Sequence, residues 1–176
     1  RNATADPVPT ITVRGIHASA AGQIVQEIGI SMNEERFRKT VLSNGIRVIS
    51  EYIDSVYSVA LGIWAIAGSQ DESKETNGIA HLLEHMAFKG TTNRNAYQIA
   101  HEIEALGGAL NAFTGKNMTC YYARLMGEHL ATGVDVLADL IKNPLFNDDD
   151  LEREKGVIIE EIREIEDTPS DIIHDF

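Results

Sequence analysis

The stretch Asn77–Gly90, NGIAHLLEHMAFKG, is the most informative part of the sequence. Its first residue is a good helix N-cap, its middle is apolar except for His81, Glu84 and His85, and its final glycine is placed to end a helix. In a helix the three ionisable side chains share one side. Because unpaired ionisable groups are costly to bury, this side is predicted to be a functional site rather than ordinary core.

The sequence on both sides of this helix predicts groups of strands that alternate with groups of helices. Upstream, Ser43-Asn44-Gly45 between the apolar runs Thr40–Leu42 and Ile46–Ile49 predicts a β-hairpin, and Val56–Ala67 predicts a further strand. The downstream elements are a helix from about Asn95 to Leu106, strands Ala109–Thr114 and Met118–Leu125, and helices from about Gly127 to Ile141 and Asp148 to Asp167, the last stopped by Thr168-Pro169. This order predicts an α+β fold in which helices pack on one face of an antiparallel sheet.

Composition narrows the classes of function. The regular pattern begins at residue 36 of 176, so residues 1–35 are interpreted as an irregular extension and residues 36–176 as part of one domain. The net charge of −12 argues against a nucleic-acid partner. No apolar run approaches the roughly 20 residues that span a bilayer, so no membrane insertion is expected. The single cysteine, Cys120, excludes an internal disulfide and is interpreted as a core residue.

The spacing His81-x-x-Glu84-His85 predicts metal chemistry. Two imidazoles four residues apart can bind one Zn²⁺ at ~2.0–2.1 Å each. Glu84 falls beside the same face and can accept the proton of a water molecule at the metal, as a general base does. This order of residues is the inverzincin motif. The alternative, a polar patch on a packed helix, fits poorly because three ionisable groups would then lack partners.

A catalytic zinc site takes three protein ligands, and the acid-rich last helix is the best source of the third. None of the other histidines has a partner at metal-binding spacing. Leu151, Ile158, Ile162 and Ile165 form one apolar stripe on a helical wheel, and Glu154 and Glu161 are the acids that lie beside it. One of the two is a ligand candidate and the other could orient a ligand histidine. The helical wheel does not show which of the two acids is the ligand.

Several motifs together resemble the pitrilysin family, and within it the branch of the mitochondrial processing peptidase β-subunit and bacterial processing proteases. The motifs are His81–Thr91 with Val157–Glu164, supported by Leu42–Val48, Gly68-Ser69 with Glu72, Gly107–Thr114 and Tyr121–Ala123. They occur in family order and cover residues 36–176. The resemblance implies a zinc endopeptidase that cleaves extended peptides or presequences, with Zn²⁺ as cofactor.

The resemblance also assigns roles. It implies that His81, His85 and Glu161 bind zinc, that Glu84 is the general base and that Glu154 supports a ligand. It implies that the peptide substrate adds as a strand to one edge of the sheet, formed here by Ala109, Leu110, Asn111, Ala112, Phe113 and Thr114. A family domain continues beyond Phe176, and active members have a second homologous lobe or partner subunit. This chain is therefore expected to be an incomplete domain that is weakly active or inactive alone.

The family also contains non-catalytic members, so a peptide-binding or scaffold subunit is the alternative function. Such members lack part of the metal-binding set, whereas His81, Glu84, His85 and Glu161 are all present here. The resemblance leaves two locations open, the bacterial cytoplasm and the mitochondrial matrix.

Overall fold

This computed structural model describes residues 10–14 and 37–167 of the chain. These residues contain ten helices and strands. They are β1 Thr10–Arg14, β2 Phe37–Val41, β3 Arg47–Glu51, β4 Ser58–Ala65, α1 Ile79–Ala87, α2 Ala96–Glu104, β5 Ala109–Thr114, β6 Thr119–Met126, α3 Leu130–Lys142 and α4 Asp148–Glu166. Short 3₁₀ turns at Ser69–Asp71 and Gly127–His129 precede α1 and α3. Among these described helices none has the length and apolarity to cross a membrane.

The six described strands form one sheet in the order β2-β3-β1-β4-β6-β5. Every pairing is antiparallel except that of β1 with β3. The predicted Asn-Gly hairpin is the β2–β3 pair, and the predicted strand Ala109–Thr114 is β5. The predicted α+β class, with a largely antiparallel sheet, is therefore confirmed.

The interpretation of residues 1–35 as irregular is wrong for Thr10–Arg14. These five residues lie between β3 and β4, inside the sheet. Their β-branched residues favour a strand, but five positions are too few to give a periodic signal without knowledge of the neighbouring strands. The rest of the predicted extension and the Thr168-Pro169 helix stop lie outside the described residues. The domain boundary at residue 35 stays a prediction.

The start of α1 also differs from the prediction, since Asn77 is not its N-cap. Gly78 holds that position in the left-handed region, at φ 88°, and supplies no side chain to cap the helix. A carboxylate from an earlier part of the chain serves instead: the two oxygens of Glu72 accept hydrogen bonds from the N–H groups of Gly78 and Ala80, at 2.7 and 2.8 Å. The local cap was predicted because sequence spacing cannot reveal a partner that a loop brings back.

The core lies between the sheet and helices α2 and α3. Val59 and Leu61 on β4 pair with Leu125 and Ala123 on β6, so all four point to one face. That face is covered by buried side chains of α2 and α3, which are Ile99, Ile103, Val136, Leu137 and Leu140. The residues between these on each strand, such as Ala60 on β4 and Arg124 on β6, alternate to the opposite face. The predicted packing of helices on one face of the sheet thus describes this core.

Asp139 of α3 is a buried acid that anchors the loop after α1. Its carboxylate accepts hydrogen bonds at 2.6–2.9 Å from four side chains, those of Thr91, Asn93, Arg94 and Asn143. Burial raises the pKa of Asp139, but the four donors outweigh it and hold the pKa well below its ordinary value. The folded state therefore contains Asp139 as a carboxylate.

We expect Asp139→Asn to lower the free energy of unfolding of the complete protein by about 3 kcal/mol at neutral pH, because it leaves the Arg94 guanidinium without its buried partner. Since the pKa of Asp139 is lower in the folded than in the unfolded state, its stabilising contribution is complete above about pH 4 and is lost as the pH falls through the lowered folded value. Urea unfolding of both proteins across this range measures the difference.

Asp135→Asn is the matched control. Asp135 contacts the same guanidinium at 2.5 Å, but its side chain is 69% exposed. Its substitution is expected to cost less than about 1 kcal/mol. Equal losses for the two variants would contradict the anchoring role of Asp139.

Candidate metal centre

Three predicted ligand atoms converge between α1 and α4. The Nε2 atoms of His81 and His85 lie 3.1 Å apart, and Glu161 Oε2 lies 3.5 Å from the first and 3.6 Å from the second. Ligands at ~2.0–2.1 Å from a tetrahedral metal are separated by about 3.4 Å. The three atoms therefore have the spacing that one face of a zinc coordination tetrahedron requires.

The group of three is open to solvent on one side. The side chains of His81 and Glu161 are 38% and 42% exposed, whereas that of His85 is 18% exposed. A catalytic metal needs a fourth position that water or substrate can reach, and a fully enclosed site would not leave one. The exposure is consistent with a reactive site rather than a purely structural one.

Glu154, the other acid that the wheel singled out, contacts the opposite nitrogen of His85. The residue is 3% exposed, and its carboxylate has Oε2 at 3.1 Å from His85 Nδ1 and Oε1 at 2.6 Å from Lys89 Nζ. If Nδ1 carries the proton and donates it to Glu154, the Nε2 lone pair faces the cluster, as metal ligation requires. Burial raises the pKa of Glu154, but the hydrogen bonds from Lys89 and His85 bring it below its ordinary value.

Glu84 faces the sheet edge rather than α4. The hydroxyl of Thr114, the last residue of β5, donates a hydrogen bond of 2.5 Å to Glu84 Oε2. Burial raises the pKa of nearby Tyr121 to about 12, and the negative charge of Glu84 adds to the effect. The predicted base therefore lies between the helix that carries the histidines and strand β5.

Strand β5 is the last strand of the sheet, and within the described residues only β6 pairs with it. The N–H of Ala112 donates to the side-chain oxygen of Asn111 at 2.8 Å, so it is not part of the β5–β6 ladder and faces the open edge. A side chain that occupies an edge N–H protects it from unwanted pairing.

Two contacts in this centre were not predicted from the sequence. Lys89 follows His85 by one helical turn, a spacing that could have suggested a shared partner. Thr114 and Glu84 are separated by 30 residues, and no local pattern links them. Of the predicted apolar stripe on α4, Ile158 is buried, whereas Ile162 is 47% exposed.

Comparison with known proteins establishes the family. The family model described as Insulinase (Peptidase family M16) matches residues 47–176, which include every residue of the centre. The chain belongs to peptidase family M16. The resemblance to pitrilysin-type peptidases is thereby confirmed.

Relatives of this M16 chain carry consistent names. It is 46% identical over 138 residues to the "Uncharacterized zinc protease YmxG" of Bacillus subtilis, covering 78% of this chain and 34% of that protein. It is 43% identical over 138 residues to the "Probable mitochondrial-processing peptidase subunit beta, mitochondrial" of Arabidopsis thaliana, covering 78% of this chain and 26% of that protein. The chain thus spans about a third or less of the length of these relatives.

Solved structures agree on the fold of the M16 chain. A protease from Helicobacter pylori superposes with a TM-score of 0.74 at 26% identity, over 79% of this chain and 34% of that one. Pitrilysin superposes with a TM-score of 0.66 at 27% identity, over 75% of this chain and 14% of that one. The architecture described above is therefore shared with parts of these two proteins.

We expect Lys89→Met to lower the free energy of unfolding by about 2 kcal/mol, because it leaves the buried Glu154 carboxylate with one fewer charged partner. Lys155→Met is the matched control: Lys155 contacts Glu152 at the same 2.6 Å, but those side chains are 47% and 73% exposed. The control should cost less than about 1 kcal/mol. Urea unfolding of the metal-free complete protein measures both, and equal effects would show that burial of Glu154 is energetically unimportant.

Proposed function

We propose that this chain is the metal-bearing part of a zinc-dependent endopeptidase, in which His81, His85 and Glu161 hold the zinc and Glu84 is the general base. The observation that carries the proposal is the convergence of three ligand atoms with mutual distances of 3.1–3.6 Å. Membership of family M16 and the zinc-protease names of bacterial relatives support it.

Each side chain of the centre has a different role in the proposed peptide hydrolysis. Zinc, when bound, lowers the pKa of a coordinated water toward ~7 and polarises the scissile carbonyl. Glu84 takes a proton from the attacking water and delivers it to the leaving amine. Thr114 holds one oxygen of Glu84, which leaves the other for this proton. Glu154 keeps His85 in the tautomer and orientation that ligation requires.

The open edge of β5 is the proposed binding site for the peptide. An extended peptide that pairs with Ala109–Thr114 would gain backbone hydrogen bonds without demanding a particular side-chain sequence. The N–H of Ala112 is available once the Asn111 side chain releases it. Because Thr114 ends this strand and contacts Glu84, the pairing brings the peptide backbone to the base.

The rest of the proposal concerns the whole protein. A second homologous lobe or subunit would complete the site, and extended peptides or presequences would be the substrates. The net charge of −12 suits basic peptides. The bacterial cytoplasm and the mitochondrial matrix stay the two predicted locations. This chain alone is expected to cleave peptides weakly or not at all.

We expect Glu84→Gln in the complete protein to retain zinc and to lose at least about 100-fold in kcat, because the amide cannot accept the proton from water. Glu161→Gln is expected to lose zinc affinity as well as activity. Glu160→Gln, in which an exposed neighbour paired with Arg163 is changed, is the control and should behave as the unsubstituted protein. Metal analysis and peptide hydrolysis measure all three.

The outcomes separate the candidate functions. Undiminished turnover by Glu84→Gln would overturn the role of Glu84. A complete protein that contains no zinc at neutral pH would favour the non-catalytic peptide-binding or scaffold subunit.

We expect Ala112→Pro to raise KM at least about tenfold while zinc content stays unchanged, since proline removes an edge N–H that the β5–β6 ladder does not use. Steady-state kinetics with an extended peptide measure KM, and metal analysis verifies that the centre is intact. An unchanged KM would mean that the peptide does not pair with this position of β5.

A further inference from the structure

The start of α1 depends on a residue outside the helix. The first N–H groups of any helix lack partners within it. Here Ile79 donates to the carbonyl of Thr76 at 3.0 Å, and Gly78 and Ala80 donate to the two oxygens of Glu72 at 2.7 and 2.8 Å. One partly buried carboxylate therefore holds two backbone N–H groups, two residues apart, at the point where α1 begins.

The segment that carries Glu72 packs against the turn between β5 and β6. The 3₁₀ turn that precedes Glu72, Ser69–Asp71, donates from Ser69 N–H to Gly115 O at 3.2 Å and from Gln70 N–H to Lys116 O at 3.0 Å. The approach is close: a Cβ atom on Gly68 would collide with the carbonyl oxygens of Gly115 and Lys116. The segment that carries Glu72 is thus fixed to the end of β5.

Through Glu72 and its segment, these contacts connect the start of α1 to the end of strand β5. On one side is α1, a helix of nine residues whose third residue is His81. On the other is the end of strand β5, to which Thr114 also ties Glu84. A shift at the start of so short a helix would move His81 and Glu84 relative to β5.

We propose that Glu72 is a positioning residue that sets the helix bearing His81, Glu84 and His85 against the peptide-binding edge of β5. The inference rests on the proposed function. A carboxylate suits this task because each oxygen accepts one of the two N–H groups, and because a negative charge is favourable at a helix N-terminus. A glutamine would offer one acceptor oxygen and would turn an NH₂ group toward the second N–H.

The test compares Glu72→Gln with Glu75→Gln in the complete protein. Glu75 lies three residues farther along the same loop, is exposed, and accepts a hydrogen bond from Ser73. Zinc affinity is measured by competition with a chromophoric chelator, kcat and KM are measured at saturating zinc, and stability is measured by urea unfolding. Glu72→Gln is expected to weaken zinc binding about tenfold and to lower zinc-saturated kcat about tenfold, with KM unchanged. Glu75→Gln should match the unsubstituted protein in all of these.

A second variant, Glu72→Asp, keeps the charge but shortens the side chain by one methylene, so it cannot reach both N–H groups as glutamate does. It should fall between Glu72→Gln and the unsubstituted protein in zinc affinity. If both variants lose stability but retain normal zinc affinity and zinc-saturated kcat, Glu72 is only a structural cap and the inference is overturned. If the unsubstituted protein does not bind zinc, the proposed function fails instead.

Discussion

A buried carboxylate must be compensated, and the arrangement of the metal centre depends on how Glu154 meets this requirement. Its two oxygens contact His85, in the last turn of α1, and Lys89, two residues past the end of that helix. The contacts hold α4 against α1, so that Glu161 lies beside the Nε2 atoms of both histidines. Desolvation makes this pairing specific, since Glu154 would lose water without compensation in any other register of the two helices.

The sheet is the second part of the structure that positions the candidate metal centre. One face of β4 and β6 is buried under α2 and α3, which fixes the position of β5 beside them. The end of β5 then contacts α1 twice, through Thr114 on Glu84 and through the turn that carries Glu72. The helix with the histidines is therefore held from α4 on one side and from the edge of the sheet on the other. This arrangement suits the peptidase function proposed above, in which a metal, a base and a substrate strand must keep fixed distances.

The corrections to the sequence-based predictions share a physical cause. Thr10–Arg14 becomes a strand because β3 and β4 provide hydrogen-bonding partners on both sides. The five residues alone are too short a segment to predict this pairing. Asn77 is a reasonable cap by local rules, but Glu72 accepts the hydrogen bonds from the N–H groups of Gly78 and Ala80 instead. In both cases a long-range contact replaces a local preference, and local preferences are worth only about 1 kcal/mol.

The sequence by itself determined the α+β class, most of the element boundaries and the resemblance to the pitrilysin family. It also placed His81 and His85 on one face of a helix with Glu84 beside it, because backbone geometry fixes the period of a helix. It also reduced the acids of α4 to Glu154 and Glu161, since helical phase excludes the others. Helical phase does not show which atoms of His81 and His85 the carboxylates of Glu154 and Glu161 contact. The family resemblance implied different roles for these two acids, but only the packing of α4 on α1 showed the atoms involved. Glu154 contacts Nδ1 of His85 and Glu161 lies at the Nε2 atoms, which depends on the relative position of the two helices.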